Sequence, residues 1–547
     1  MADRRPVIPT QARGQEIGLD QKFVPIVLAA NGDHDLSILS EFAEFWKVPY
    51  TLRSQFDGKP ILFTSGPPKE IDTQGSRPVI ISPTRIEGAR EIARHFGLDV
   101  TFKETPVRLP ISPGVSVSLQ TRLYQFSGPE LEPMLKDGEN ILINKILGSA
   151  VHILSVDLVS EYHRLMYGRM DENPNWRFRL LTRMPFSYRL IPSSIRNRFF
   201  KAKRSVTAFR EELLGPIEFL RSLFLASLAV ASPDPIPIIG FWRRGKSYAL
   251  AVSHDVETQL GLEDGAGRLI EVEKELGIRS TWNLPTNRYP LSSQLVIALA
   301  ENGEVGGHDT KHDGRLFFAS TTDKLDRVKG CRERLEFLSR RPVRGFRAPL
   351  LQHSRELVET LGKAGYEYDS SMPSWEPLSP TSLKPHGVGT VFPFLISGLV
   401  EIPVSMPQDH QLIRVGGLGV AEAVDQLLEV SRWIKGTRGA CVLLVHPDYE
   451  FGQGEGHKEY LRLLRSFRSD PACDIMTLGE MARWWIYRQE SYIDEEGMIN
   501  TRSDESKNAI GEPELELIMG YGLDGFKIEP PIGNSVIEMP KSSRLRS

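Results

Sequence analysis

The sequence predicts an α/β protein organised around a parallel sheet, either open or closed into a barrel. Three observations carry this. From Ser247 onward, apolar runs of strand length alternate with helical patterns, several of them stopped by glycine, as at Gly277 and Gly303. Repeated strand–helix units of this kind belong to parallel sheets whose faces are covered by helices. Third, the residues able to do metal or acid–base chemistry fall at the C-terminal ends of the predicted strands, where such folds place their sites.

Each element follows from its pattern. Tyr248 to His254 is a buried strand, and Asp264 to Leu276 a helix. Arg279 to Leu284 is a strand, Ser292 to Glu301 a helix, and Glu304 to Gly307 a short strand. A long helix spans Thr321 to Arg340, followed by strand Gly345 to Ala348 and helix Ser354 to Lys363. Val400 to Val404 and Cys441 to His446 are strands separated by helix Ala421 to Ile434. Helix Lys458 to Phe467, strand Asp474 to Thr477 and helix Leu478 to Trp485 close the series. Ahead of it, Lys22 to Asp99 alternates short apolar runs with helical spacing, ending in an amphipathic helix Ile86 to Phe96. Val115 to Phe126, Asn140 to Leu147 and Val151 to Leu158 read as β segments.

The domain division expected from these shifts is a flexible arm over 1–20, an α/β accessory domain of unknown role over 21–205, a helical, proline-rich linker over 206–244, a catalytic domain over 245–487, and a polar tail or small β appendage over 488–547. Arginines and aromatics interleave between 160 and 215; an interdomain surface is the expected use, because the chain lacks the basic field of a nucleic-acid binder. Its net charge is −3 over 547 residues. The three cysteines, Cys331, Cys441 and Cys473, have no metal-type spacing and make no disulfide framework, which fits a reducing compartment. The apolar stretch Ser222 to Ser232 is too short to span a bilayer and is closed by Pro233, so no transmembrane segment is expected. With no secretory signal read at the N-terminus, the expected location is cytoplasmic.

His308 and His312 are the only histidines of the chain four residues apart, and such a pair can share a metal ion. Asp255 and Glu257 lie at the end of the first strand, Arg347 at the end of the fourth, Asp369 at the end of Tyr366 to Asp369, and His446 at the end of the late strand. Each alone has an ordinary explanation, such as a cap, a surface ion pair or a solvated loop. Their joint placement on one rim does not.

These residues resemble the polysaccharide deacetylase, or NodB-homology, superfamily, over about Ser247 to Trp485. His308 and His312 match its paired-histidine motif, Arg347 and Pro349 its Arg-x-Pro motif, and Leu444 and His446 its Leu-x-His motif. The first motif departs: where two adjacent aspartates are common, Asp255 is followed by Val256 and then Glu257. The resemblance implies an irregular (β/α) barrel and a divalent metal ion, zinc by preference, held by Glu257, His308 and His312. It implies Asp255 as base, oriented by Arg347, and His446, backed by Asp369, as the acid that protonates a leaving amine. It further implies that the backbone N–H of Leu350 serves the oxyanion. The expected activity is hydrolysis of an amide C–N bond, N-deacetylation of an acetamido sugar in a glycan or glycan precursor. The expected partner is thus a carbohydrate substrate and not nucleic acid. Two alternatives stay open: a hydrolase of the same fold acting on a non-sugar, cyclic amide, and a non-catalytic carbohydrate-binding relative.

Overall fold

The computed structural model describes residues 26–52, 60–66, 77–171, 176, 211–377, 385–494, 497–502 and 511–530. The arm expected over 1–20, and most of the arginine- and aromatic-rich stretch between 160 and 215, lie outside these residues.

The site-bearing sheet is built as the apolar runs predict. Its parallel strands are β1 (Tyr248–Asp255), β2 (Ser280–Leu284), β3 (Gly303–Gly307), β4 (Gly345–Phe346), β5 (Tyr368–Asp369), β6 (Leu399–Glu401) and β7 (Ala440–Val445). The neighbour order is β6-β5-β4-β3-β2-β1-β7, with Phe394–Ile396 antiparallel on the outer side of β6. The sheet curls until its ends meet. Beyond β6 the chain stays extended, and the Met406 N–H donates to the Val442 carbonyl of β7 at 3.2 Å. Ser405 reinforces the closure: its Oγ donates to the Ala440 carbonyl at 2.5 Å and accepts from the Val442 N–H at 2.8 Å. The result is an irregular barrel.

Strand length tapers around it. β1 has eight residues, all buried, whereas β4 and β5 have two each. Glycine permits the tight contact there: a Cβ on Gly345 would sit 1.9 Å from Tyr368 Cζ. The covering helices bury the faces their periodicity predicts; in Arg355–Lys363 these are Leu357, Val358 and Leu361.

Before the barrel, strands Ile26–Ala30, Leu62–Ser65, Val79–Ser82 and Val151–Leu154 pair in parallel, with helices Asp33–Trp46 and Arg85–Phe96 between them. Two strands that the sequence did not suggest, Asp99–Ser112 and Leu131–Asp137, make hairpins with Val115–Ser127 and Asn140–Ile146. Much of Asp99–Ser112 is exposed, so it lacks a continuous apolar run.

The segment expected as a linker packs instead as core. Helix Pro216–Ala231 buries thirteen residues, Pro216 through Leu228. Phe224 stacks on Phe42 at 5.5 Å and meets Phe63 at 4.8 Å. A helix buried on every side is an interior helix, and its Glu218 and Arg221 are buried as a pair, 3.4 Å apart. One hydrophobic cluster runs from Ile26 through this helix to the barrel residues and Ile518. The Pro-rich stretch becomes strand Ile236–Ile239 at the edge of a three-stranded sheet, the position open to proline, and pairs with Leu515–Gly522 of the C-terminal segment. Among the described residues, no helix is long and apolar enough to cross a membrane.

Candidate active site

The strand ends place the candidate residues in turn. β1 ends at Asp255; His308 follows β3, Arg347 follows β4, and His446 follows β7. All four are buried.

The two histidines are aimed by a loop rather than a helix. Asp309 and His312 take left-handed backbone angles, with φ of 66° and 48°. The buried Asp309 carboxylate holds this loop, accepting from the backbone N–H of Thr310 at 2.7 Å and of His312 at 3.0 Å. Arg327, on helix Thr321–Ser339, anchors the same carboxylate through Nε at 2.9 Å and through Nη2. The His308 and His312 rings end 4.7 Å apart, centre to centre.

Their nitrogens are differently engaged. His308 Nδ1 lies 2.7 Å from the Arg347 carbonyl, which can only accept, so the proton sits on Nδ1. His308 Nε2 is buried, has no hydrogen-bond partner among the described residues, and lies 3.8 Å from Asp255 Oδ2. Burial lowers the ring's pKa to about 4, which leaves the imidazole neutral and the Nε2 lone pair available. His312 Nε2 lies 3.4 Å from Glu257 Oε1, while Arg288 Nη1 sits 2.6 Å from His312 Nδ1. A guanidinium can only donate, so in this arrangement His312 carries its proton on Nε2, toward Glu257, and an ion held there would take that proton's place.

Asp255 and Glu257 occupy different surroundings. Asp255 Oδ1 accepts from Asn283 Nδ2 at 2.8 Å and lies 3.5 Å from Arg347 Nη1. Arg347 is in turn fixed by Ser253 Oγ at 3.1 Å and Ser370 Oγ at 2.8 Å. Burial pushes the Asp255 carboxyl upward, but its neighbour His308 and the charges of Arg347 and His446 outweigh it and hold the group below its usual range. Glu257 Oε2 accepts from the Tyr449 hydroxyl at 3.0 Å. Burial raises Glu257 too, and the hydrogen bond with His312, with the charges of His446 and Arg288, brings it well below the ordinary value.

His446 differs from expectation in its partner. Its Nδ1 lies 2.7 Å from Asp409 Oδ1, and its backbone N–H donates to Asp409 Oδ2 at 2.8 Å. Asp369, expected behind His446, is turned elsewhere. In the β5–β6 register it faces Glu401, and its Oδ1 accepts from Ser371 Oγ at 2.6 Å. Burial raises both carboxyls, Asp369 to about 6 and Glu401 well above the carboxylate range. Burial opposes the charge on His446, but Asp409, aided by Glu257 and Asp255, outweighs it and lifts the imidazole to about 10. Asp409, Asn283, Arg288 and Asp309 are thus the site's unforeseen residues. Two of them, Asn283 and Asp309, sit on or just past strand ends, the same signal that exposed the others, and Asp409 follows the extended segment beyond β6.

Leu350, whose backbone N–H was expected at the oxyanion, lies in the short turn Pro349–Leu351 with φ of 62°. That is an uncommon conformation for a branched residue and marks a turn held by its surroundings.

As a donor set for a divalent ion, Asp255, Glu257, His308 and His312 have suitable chemistry: two imidazoles and two ionised carboxylates. The buried bare Nε2 of His308 beside a carboxylate fits such an ion. Among the described residues no three of these groups close around one point; they approach as the pairs Asp255–His308 and Glu257–His312.

No family model matches the chain, and no curated protein does. Among solved structures it is similar to a protein of Mycobacterium smegmatis described as a polysaccharide deacetylase, with 20% identity and a TM-score of 0.38 over 44% of this chain and 91% of that one. It is also similar to the allantoinase PuuE, with 16% identity and a TM-score of 0.35 over 45% of this chain and 92% of that one. A third is BA3943 of Bacillus anthracis, a pseudoenzyme of the CE4 family, with 16% identity and a TM-score of 0.31 over 46% of this chain and 69% of that one.

Proposed function

We propose that this protein is a metal-dependent amide hydrolase that removes the acetyl group from an acetamido sugar. The observation that carries this is the meeting, on one barrel rim, of a carboxylate beside a bare imidazole nitrogen (Asp255 and His308) and a carboxylate-held imidazolium (His446 on Asp409). Glu257, His308 and His312 would hold the ion. Bound there, a divalent ion such as zinc supplies Lewis acidity to an amide carbonyl and to water.

The chain's own groups supply the proton transfers. Asp255, kept ionised, takes the proton of the attacking water. Asn283 and Arg347 fix its Oδ1 and leave Oδ2 on the side of His308. His446, protonated on both nitrogens up to about pH 10, has one N–H spent on Asp409 and the other free to donate to the departing amine. A base held low and an acid held high give the two opposite protonation states that amide hydrolysis needs at neutral pH. The products are acetate and the free amine of the sugar.

The test is acetate release from N-acetylated chitooligosaccharides by the full chain after chelation and after adding back zinc. Metal-dependent release supports the assignment. Ring opening of a cyclic ureide or imide with no acetate release from any acetylated saccharide would move the activity to non-sugar amides. Neither activity in the zinc-loaded protein would leave a binding protein.

A further inference from the structure

Directly beneath Asp255 and His446 lies a buried polar cluster to which the hydrolytic steps assign no part. His254, one residue before Asp255, is fully buried in the middle of the sheet. Its ring stacks on Trp282 of β2 at 4.1 Å and 26°. Both ring nitrogens are engaged. Nδ1 lies 3.1 Å from the Val445 carbonyl, immediately before His446 on β7. Nε2 lies 2.7 Å from Glu273 Oε1, on helix Ala266–Leu276.

The protonation of this ring follows from its partners. A carbonyl oxygen accepts and never donates, so Nδ1 carries a proton. Glu273 receives two further hydroxyls: Tyr460 donates to Oε1 at 2.7 Å and Ser280 Oγ to Oε2 at 2.6 Å. Burial, with the charge of Glu273 behind it, holds the Tyr460 phenol well above its usual pKa, so Tyr460 stays a donor. Glu273 and His254 Nε2 share the remaining hydrogen bond, so the ring is held at both nitrogens.

We propose that His254 is a positioning residue: a buried imidazole clamped between Glu273 and the Val445 carbonyl, which fixes the gap between Asp255 and His446. The clamp crosses the β1–β7 seam at the one register pair, His254 with Val445, that directly precedes both reacting side chains. Its role in catalysis rests on the reading of Asp255 and His446 as base and acid; its two hydrogen bonds do not.

Nitrogen-15 spectra of the full chain labelled at histidine, at pH 7.5, test the second point alone. A proton on His254 Nδ1, assigned with His254→Phe and slow to exchange with solvent, is expected; an Nδ1 without a proton overturns the proposal. His254→Phe keeps the stacking on Trp282 and removes the clamp. It is expected to lower kcat for acetate release from penta-N-acetylchitopentaose about 10- to 100-fold, with KM unchanged, as small misplacements of reacting groups do. It should also move the His446 Nδ1–H resonance. A folded variant with kcat and that resonance unchanged overturns the positioning role. If His254→Phe does not fold, Tyr460→Phe and Ser280→Ala, each removing one donor from Glu273, are expected to shift the His254 signals; no shift in either overturns the clamp. A wild type with that Nδ1 proton but no acetate release sinks the deacetylase reading and the positioning role that rests on it, and leaves only the clamp itself.

Discussion

Asp409 grips His446 at two points, a side-chain contact of 2.7 Å to Nδ1 and a backbone N–H donated at 2.8 Å. The carboxylate therefore sets both the orientation of the ring and its charge. Asp409→Asn is expected to lower kcat at least 100-fold with little change in KM, in the manner of carboxylates that orient a catalytic histidine. The pH dependence has a defined sign. His446 works as the protonated acid, so activity is lost as pH rises through its pKa of about 10. Without the Asp409 charge that alkaline limb moves down toward the ordinary histidine range near 6.5. Asp369→Asn should leave the limb in place; a pH–rate profile in which Asp369→Asn moves it and Asp409→Asn does not would reverse the assignment.

Metal binding is separable from turnover. His308→Ala and His312→Ala are each expected to lose stoichiometric zinc, read by elemental analysis of purified protein, together with all acetate release. Glu257→Gln should weaken zinc and retain the fold. A His308→Ala/His312→Ala double variant that still carries one zinc per chain would place the ion elsewhere.

The interior helix offers a test of cohesion. Phe224→Ala removes a fully buried ring that packs against Phe42 and Phe63. The expected loss is about 3–5 kcal/mol. Because the cluster is continuous, tryptophan fluorescence and far-ultraviolet circular dichroism should report one shifted transition. Two transitions, with only the first displaced, would mean that the barrel melts independently of this helix.

Acid stability should carry the mark of His152, on strand Val151–Leu154, which is only 4% exposed. Burial, helped by the charge of Lys145, lowers its pKa from 6.5 to about 4. The unfolded chain therefore takes up the proton first, and stability falls as pH drops from 6.5 to about 4. The shift corresponds to roughly 3 kcal/mol at the low end. His152→Gln should flatten that part of the denaturant-midpoint profile; an unchanged slope would show that other buried histidines, such as His308, dominate it.

Much of this site was legible before any coordinates. Strand ends announce themselves because a buried parallel strand is a continuous apolar run, and the first polar residue after it is where chemistry sits. Asp255, His308, Arg347 and His446 all fall under that rule. It was not applied to two strands: Asn283 stands next to the end of β2, and Asp409 lies past the extension of β6. Asp369 attracted attention instead because it ends a recognisable strand, but its register pairs it with Glu401, and no sequence pattern reports which way a strand-end carboxylate turns. Arg288 and Arg327 were invisible for another reason: each reaches the loop after β3 from a different segment, through contacts that only the closed barrel creates. The linker was misread because proline density was weighed above the apolar helix preceding it.

Arg488, on helix Leu478–Glu490, is fully buried and donates to the carbonyls of Phe45, Ile239 and Gly240 at 2.8–2.9 Å. One guanidinium thus closes a contact with the first layer, at Phe45, 443 residues earlier in the chain. Domains commonly fold as they emerge from the ribosome. Here the first layer cannot make this contact until residue 488 has been synthesised, so full protease protection of the early strands should appear only after residue 488 has left the exit tunnel.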